Sequence, residues 1–257
     1  MMKKLVLPIL IILAGLIYTF LPKSQNPPTK LIAGGIVPHH LLADFLIDDF
    51  FSRLKPQNPE TIILIGPNHD EKGAKALSAE IDWETDYGLL KRDEELINKL
   101  KKKGLLNFDE KILKEEPSIS NIIPFIKKHL PSVKIMPLIL RANLSLNELE
   151  VIAKMLAEEL NEKIVIVASI DFSHYLSRQE AQAKDEETIK AIKDFDLGKI
   201  YSFGNDHLDS ASSLIVILLS LKEKGKTNPE ILRHSNSGII TKKNLPPTTS
   251  YFSIAFK

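Results

Sequence analysis

Histidines and carboxylates in this chain stand directly behind apolar runs, where strands would end. Pro38-His39-His40 follows the run at 31–37, Gly66-Pro67-Asn68-His69-Asp70 follows 61–65, and Asp171-Phe172-Ser173-His174-Tyr175 follows 163–169. Neutral imidazole is the commonest protein metal ligand, and two imidazoles with one carboxylate hold a divalent ion while leaving positions open. His39 and His69 are the pair this chemistry selects. Each is followed by a second polar group, His40 and Asp70, which either orients it or is simply solvated. Pro38 and Pro67 fix φ ahead of the functional group and end the strands, which suits a rigid site and an ordinary turn alike.

The third tail suggests a different role. Asp171 and His174 are three apart, so a helical turn would put them on one side, with the carboxylate orienting the imidazole as a general base. Tyr175 adds a phenolic donor. In the competing reading Asp171 caps a helix and His174 lies on its surface.

Such tails meet only if the strands share an edge. In an open, mostly parallel α/β sheet the carboxyl ends of the strands do share one, and ligands bind in the crevice beyond it. The pattern of the chain fits that architecture. Apolar residues at 41, 42, 45, 46, 50 and 54 have helical spacing, and Pro56-Gln57-Asn58-Pro59 then turns the chain into the second strand. Further strands are expected at 76–83, 133–140, 230–235 and 250–256. Further helices are expected at 93–103 with Gly104 behind it, 120–129 despite Pro124, 145–161 with Ser145 as cap, 178–195 and 210–224. The alternation predicts one α/β domain over 29–257, a three-layer sandwich around a mostly parallel sheet.

Composition narrows the chemistry. The 257 residues are 44% apolar and 26% charged, enough for a full core, and the formal charge is only +1. Acids and bases are interspersed, so no basic face exists to neutralise a phosphate backbone, and nucleic acid is excluded as a partner. Cysteine is absent, which removes disulfides, thiolate zinc sites and cysteine nucleophiles.

The N-terminus is a separate object. Residues 5–21 are apolar apart from Thr19, behind Lys3 and Lys4, and the polar, proline-rich stretch 22–28 follows. Seventeen residues at 1.5 Å rise give about 25 Å, near the lower limit for a hydrocarbon core of ~30 Å. No small-residue cleavage site follows, since Tyr18-Thr19-Phe20-Leu21 is bulky, so the segment reads as an uncleaved anchor rather than a removed signal peptide. Residues 1–28 are thus expected to form a signal anchor and linker, with contact to the membrane through 5–21 and the domain outside the cytoplasm.

Taken together, Val37-Pro38-His39, Gly66-Pro67-Asn68-His69, Trp83-Glu84-Thr85-Asp86-Tyr87-Gly88, Asp171-Phe172-Ser173-His174-Tyr175, Asn236-Ser237-Gly238 and Ser250-Tyr251 resemble, in order and distance, the Memo family, also called AmmeMemoRadiSam system protein B. The resemblance spans about 31–257. It implies the three-layer fold of the catalytic subunit of LigB-type class III extradiol dioxygenases and a pocket of two histidines and a cysteine that binds iron or copper in some members. By that likeness His39 and His69 take the histidine positions, and Asp171 and His174 line the pocket. Two departures follow. The family's Cys-Gly pair is replaced by Leu208-Asp209-Ser210-Ala211, and its Glu-His-Ser-Ile/Leu-Glu motif by Glu116-Pro117-Ser118-Ile119-Ser120. Either Asp209 replaces the thiolate with an oxygen ligand, or it only caps the next helix and the site is degenerate.

Two functions follow from these residues. One is a metal-dependent oxidoreductase or hydrolase with His39, His69 and Asp209 as ligands of a divalent metal, iron first, with zinc, manganese and copper open, and with His174 as base supported by Asp171. The other is a membrane-tethered module that binds a small molecule or peptide without turnover.

Overall fold

Ile62, Ile63, Leu64 and Ile65 are all fully buried, and alternate residues of this run face opposite hydrophobic clusters. A strand apolar on both faces needs helices on both sides, and the order of elements supplies them. The computed structural model describes residues 31–243 and 247–257. The first half contains β1 (Gly34–Val37), a 3-10 turn and α1 (Asp44–Leu54), then β2 (Thr61–Pro67), β3 (Ala76–Ser78) and β4 (Lys91–Arg92). It continues through α2 (Glu94–Lys102), β5 (Asn107–Phe108), α3 (Glu110–Glu115), α4 (Pro117–Ser120) and α5 (Ile123–His129). The second half contains β6 (Lys134–Leu140), α6 (Leu146–Ala157), β7 (Ile164–Ser169), α7 (Arg178–Asp194) and α8 (Leu197–Tyr201). It ends with α9 (Ala211–Glu223), β8 (Pro229–Asn236), α10 (Ser237–Thr241) and β9 (Ser250–Phe256).

Among the described residues nine strands join one sheet in the order β5-β3-β6-β2-β7-β1-β9-β8, with β4 also against β6. The centre, β6-β2-β7-β1, is parallel. Its flanks are not: β9 runs antiparallel to β1 and to β8, and β3 antiparallel to β6. The sheet is therefore mixed, with β5 on β3 and β4 on β6 again parallel. Helices α2, α6, α7 and α9 bury apolar residues in one cluster with the sheet, and α1, α3, α4 and α5 do so in the other. The strand expected at 76–83 is only three residues long, and its sequel returns through a bridge between Trp83 and Leu90. Pro124 is tolerated because it stands in the first turn of α5, where its missing N–H has no partner to lose.

Adjacency of β2, β7 and β1 is what positions the site. Their carboxyl ends lie side by side, so His69, Asp171 and His39 leave the sheet at one edge. Gly66 in β2 has a second positional duty. A Cβ there would lie 2.3 Å from Ser118 Oγ and 2.6 Å from Ser118 Cβ, so the turn of α4 is pressed directly on the strand. Gly66→Ala is expected to lower unfolding stability by about 1–3 kcal/mol through this overpacking, read as an earlier urea midpoint. An unchanged midpoint would mean that the α4 turn moves aside freely.

No helix among the described residues is long and apolar enough to cross a membrane. The anchor expected over 5–21 and its linker to 28 lie outside the described residues. The expected membrane-anchored, extracytoplasmic placement rested on that segment alone and is corrected here.

Candidate metal centre

Beyond the carboxyl edge of β1, β2 and β7 opens a cleft of about 800 Å³, lined by His39, His40, His69, Asp171, His174 and Asp209 among others. The rings of His39 and His69 meet edge-on with centroids 5.0 Å apart. One ligand atom from each of His39, His69 and Asp209 lies within 4.8 Å of the others, and the same holds for Asp171, His174 and Asp209. The five residues selected as ligands or base thus converge, whereas Asp70 points away and pairs with Lys72.

His39 is buried and fixed on every side. Its backbone N–H donates to Asp171 Oδ1 at 3.0 Å, its carbonyl accepts from Asn121 Nδ2 at 3.0 Å, and Nδ1 lies 3.4 Å from Ser169 Oγ. Nε2 is left facing two carboxylates, 3.3 Å from Asp209 Oδ2 and 3.7 Å from Asp171 Oδ2. Burial lowers the His39 pKa, against the opposing charge of Asp171, so the ring is neutral and carries a lone pair.

His69 is oriented by a residue that sequence reading passed over. Glu116 Oε1 lies 2.7 Å from His69 Nδ1, and Oε2 accepts the His69 backbone N–H at 3.0 Å. With Nδ1 held there, Nε2 points toward Asp209, 4.0 Å from Oδ2. A carboxylate behind a ligating imidazole fixes its tautomer and raises its basicity. Burial disfavours the charged ring, but the hydrogen bond and charge of Glu116 outweigh it and raise the His69 pKa. Burial likewise opposes ionisation of Glu116, yet His69 and the backbone N–H groups of Ser118 and His69 bring its pKa below the ordinary value. Glu116 also caps α4 through Ser118 N–H, with Pro117 in the first turn. The segment read as a motif that had lost its histidine keeps the one acid that matters, and the Glu-Pro-Ser order of a helix start was the available signal.

Asp171 does not sit in a helical turn with His174. Residues 170–176 are irregular, with isolated bridges at Phe172 and Leu176, because the segment pairs with Leu208 and Thr248 instead of closing a turn on itself. Asp171 spends Oδ1 on the backbone N–H groups of His39 and His40. The His174 backbone donates to the Asn205 carbonyl, while its Nδ1 is buried without a partner. Burial lowers the His174 pKa, opposed by Asp171.

Asp209 is not the cap of α9. Ser210 takes that role, its Oγ accepting from Ser213 N–H at 3.1 Å. Asp209 instead exchanges backbone bonds with Asp171: Asp171 N–H donates to Asp209 Oδ2 at 3.1 Å and Asp209 N–H to the Asp171 carbonyl at 3.1 Å. Oδ1 has no partner. Burial and the charge of Asp171 hold the Asp209 carboxyl well above the usual carboxylate range. An orphaned buried oxygen beside the imidazoles of His39 and His69, with no lysine or arginine on the cleft wall, suits coordination of a cation. Arg141, nearby in sequence to the wall residues Leu140 and Ala142, is paired with Glu71.

Comparison with known proteins gives the family and the fold. The family model described as Memo-like protein matches residues 15–253, and the chain belongs to the Memo family. Its relatives include the MEMO1 family protein MmarC5_0191 of Methanococcus maripaludis, 32% identical over 208 residues, 77% of this chain and 72% of that one. Another is the MEMO1 family protein of Aquifex aeolicus, 30% identical over 240 residues, 89% of this chain and 86% of the relative. Among solved structures, an uncharacterized protein JW3007 from Escherichia coli K12 shares the fold with a TM-score of 0.61 at 13% identity, covering 88% of this chain and all of that one. The family match begins inside the apolar stretch 5–21.

Proposed function

We propose that the cleft is a divalent-metal centre in which His39, His69 and Asp209 hold the ion, and that the chain is a metal-dependent oxidoreductase or hydrolase acting on a small polar substrate. The observation that carries this reading is the convergence of three ligand atoms from separate parts of the chain within 4.8 Å, one of them on a buried carboxylate whose second oxygen has no partner. The donor set is two nitrogens and an oxygen, which suits Fe(II), Mn(II) or Zn(II) and lacks the thiolate that would favour Cu(I). Iron is the first candidate. When bound, such an ion polarises a ligated oxygen and makes its proton easier to remove.

The protein residues supply the remainder. His174 lines the same cleft and is neutral, so it accepts a proton from a substrate hydroxyl or a water there. Asp171 is the positioning residue, holding the backbone of His39 and His40 against the end of β7. Glu116 holds His69 with Nε2 toward the cleft.

Calorimetric titration of the metal-stripped, full-length protein tests the reading. Fe(II), Mn(II) and Zn(II) are each expected to fill a tight first site, and His39→Ala or His69→Ala to abolish it. A wild-type protein that binds none of these ions would sink the proposal and leave the cleft as a pocket for an organic ligand alone.

A further inference from the structure

The two candidate ligand groups in the cleft share Asp209. His39 and His69 address Asp209 through Oδ2, at 3.3 and 4.0 Å. The other oxygen, Oδ1, is buried and unpartnered, and so is Nδ1 of His174. The Asp209 side chain is only 8% exposed, so an unpaired oxygen on it is costly. Asp171, His174 and Asp209 bring one ligand atom each within 4.8 Å. Asp209 and His174 thus belong to one candidate ligand group, and each carries a buried polar atom without a hydrogen-bond partner, which calls for an explanation.

We propose that the cleft holds a second divalent cation between Asp171, His174 and Asp209, with Asp209 shared by the two ions. The inference deepens the metal-centre reading and rests on it. A carboxylate with two oxygens is the ordinary bridge of two-metal sites, where ions stand roughly 3.5–4 Å apart and clamp the two sides of a reacting group. Charge favours a second cation. Asp171, Asp209 and Glu116 surround the imidazoles, and neither lysine nor arginine lines the cleft, so one divalent ion leaves negative charge uncompensated. The second site is the weaker, because it offers one imidazole instead of two and fills against the charge of the first ion. It also has a consequence for the chemistry. With the second site empty, His174 is free to take a proton; with it filled, His174 is a ligand.

Mn(II) provides the test, because stoichiometry and spin coupling are read without any substrate. The metal-stripped full-length protein is dialysed against increasing Mn(II), its metal content is measured, and electron paramagnetic resonance is recorded at each step. The expected result is two equivalents at saturation, with an exchange-coupled signal at the second. His174→Ala is expected to lose one equivalent and the coupling while keeping the tight site, and His174→Gln serves as a second variant of closer shape, each checked for an unchanged melting temperature. A single equivalent at saturation in the wild type, or two in both His174 variants, overturns the second site and leaves the first intact. Failure of the wild type to bind any Mn(II) overturns the metal-centre reading itself.

Discussion

Asparagine at position 209 is expected to make the metal-free protein more heat-stable while weakening the tight divalent-ion site by more than about 100-fold, beyond the loss typical of a supporting residue. The two effects have one cause. Burial, together with the negative charges of Asp171 and Glu116, raises the Asp209 pKa, so the native state keeps a proton that the unfolded chain releases. Stability of the metal-free protein therefore falls as pH rises from the ordinary carboxylate range through the native value, and above it the full penalty is present. Asparagine does not ionise and can still accept the Asp171 N–H, so Asp209→Asn removes the penalty. Near pH 8 in the presence of a chelator, a gain of about 1–2 kcal/mol corresponds to a melting temperature higher by roughly 2–8 °C, shrinking toward pH ~4. Lower stability at every pH, with unchanged ion affinity, would make Asp209 a structural acceptor only.

Acid is expected to release the ion, and Glu116 to set where. Ligation requires neutral imidazole, and the His69 pKa is raised because the Glu116 hydrogen bond and charge outweigh burial. Protons thus compete at His69 from above the ordinary histidine range downward, whereas His39, its pKa lowered by burial, joins only at lower pH. Apparent affinity should fall about tenfold per pH unit for each proton displaced, so His69 alone accounts for on the order of 100-fold between pH ~7.5 and ~5.5, and the proton that burial keeps on Asp209 adds to the fall. Glu116→Gln removes the charge that raises the His69 pKa and its best acceptor. It should shift the midpoint of release to lower pH, while costing about 10 to 100-fold in affinity near pH 8. Calorimetry across this range reads both effects. An affinity that ignores pH, or a variant with the wild-type profile, would place the ion elsewhere.

Much of this site is legible in the sequence because its residues announce themselves locally. An apolar run that stops at Pro-His or Pro-Asn-His marks a strand end, and parallel strands gather such ends at one edge. His39, His69, Asp171 and His174 were found that way, and position 209 by comparison with a family pattern. What stayed hidden depends on distant partners. Glu116 reaches His69 across 47 residues, and nothing in its neighbourhood but a helix-start signal reveals the contact. Asp171 turns to the backbone of His39, 132 residues away, while its local spacing suggested His174. The antiparallel flanks escaped for a related reason: short strands such as β3 carry too few residues to show a period, and direction is decided by the pairing.

The origin of the three candidate ligands has a bearing on how such a centre changes over time. His39 and His69 are extensions of two central strands that flank β7, and moving either means moving the sheet. Position 209 belongs instead to the loop before α9, tied to the sheet edge through one backbone bond to the Asp171 carbonyl and one bond that its side-chain oxygen accepts from Asp171 N–H. The backbone half of that tie survives a change of side chain. One codon there is enough to exchange sulfur for oxygen, and with it a preference for soft ions for one for harder ions, while the rest of the frame stays as it was. The one candidate ligand that the sheet does not carry is thus the one whose replacement disturbs the sheet least.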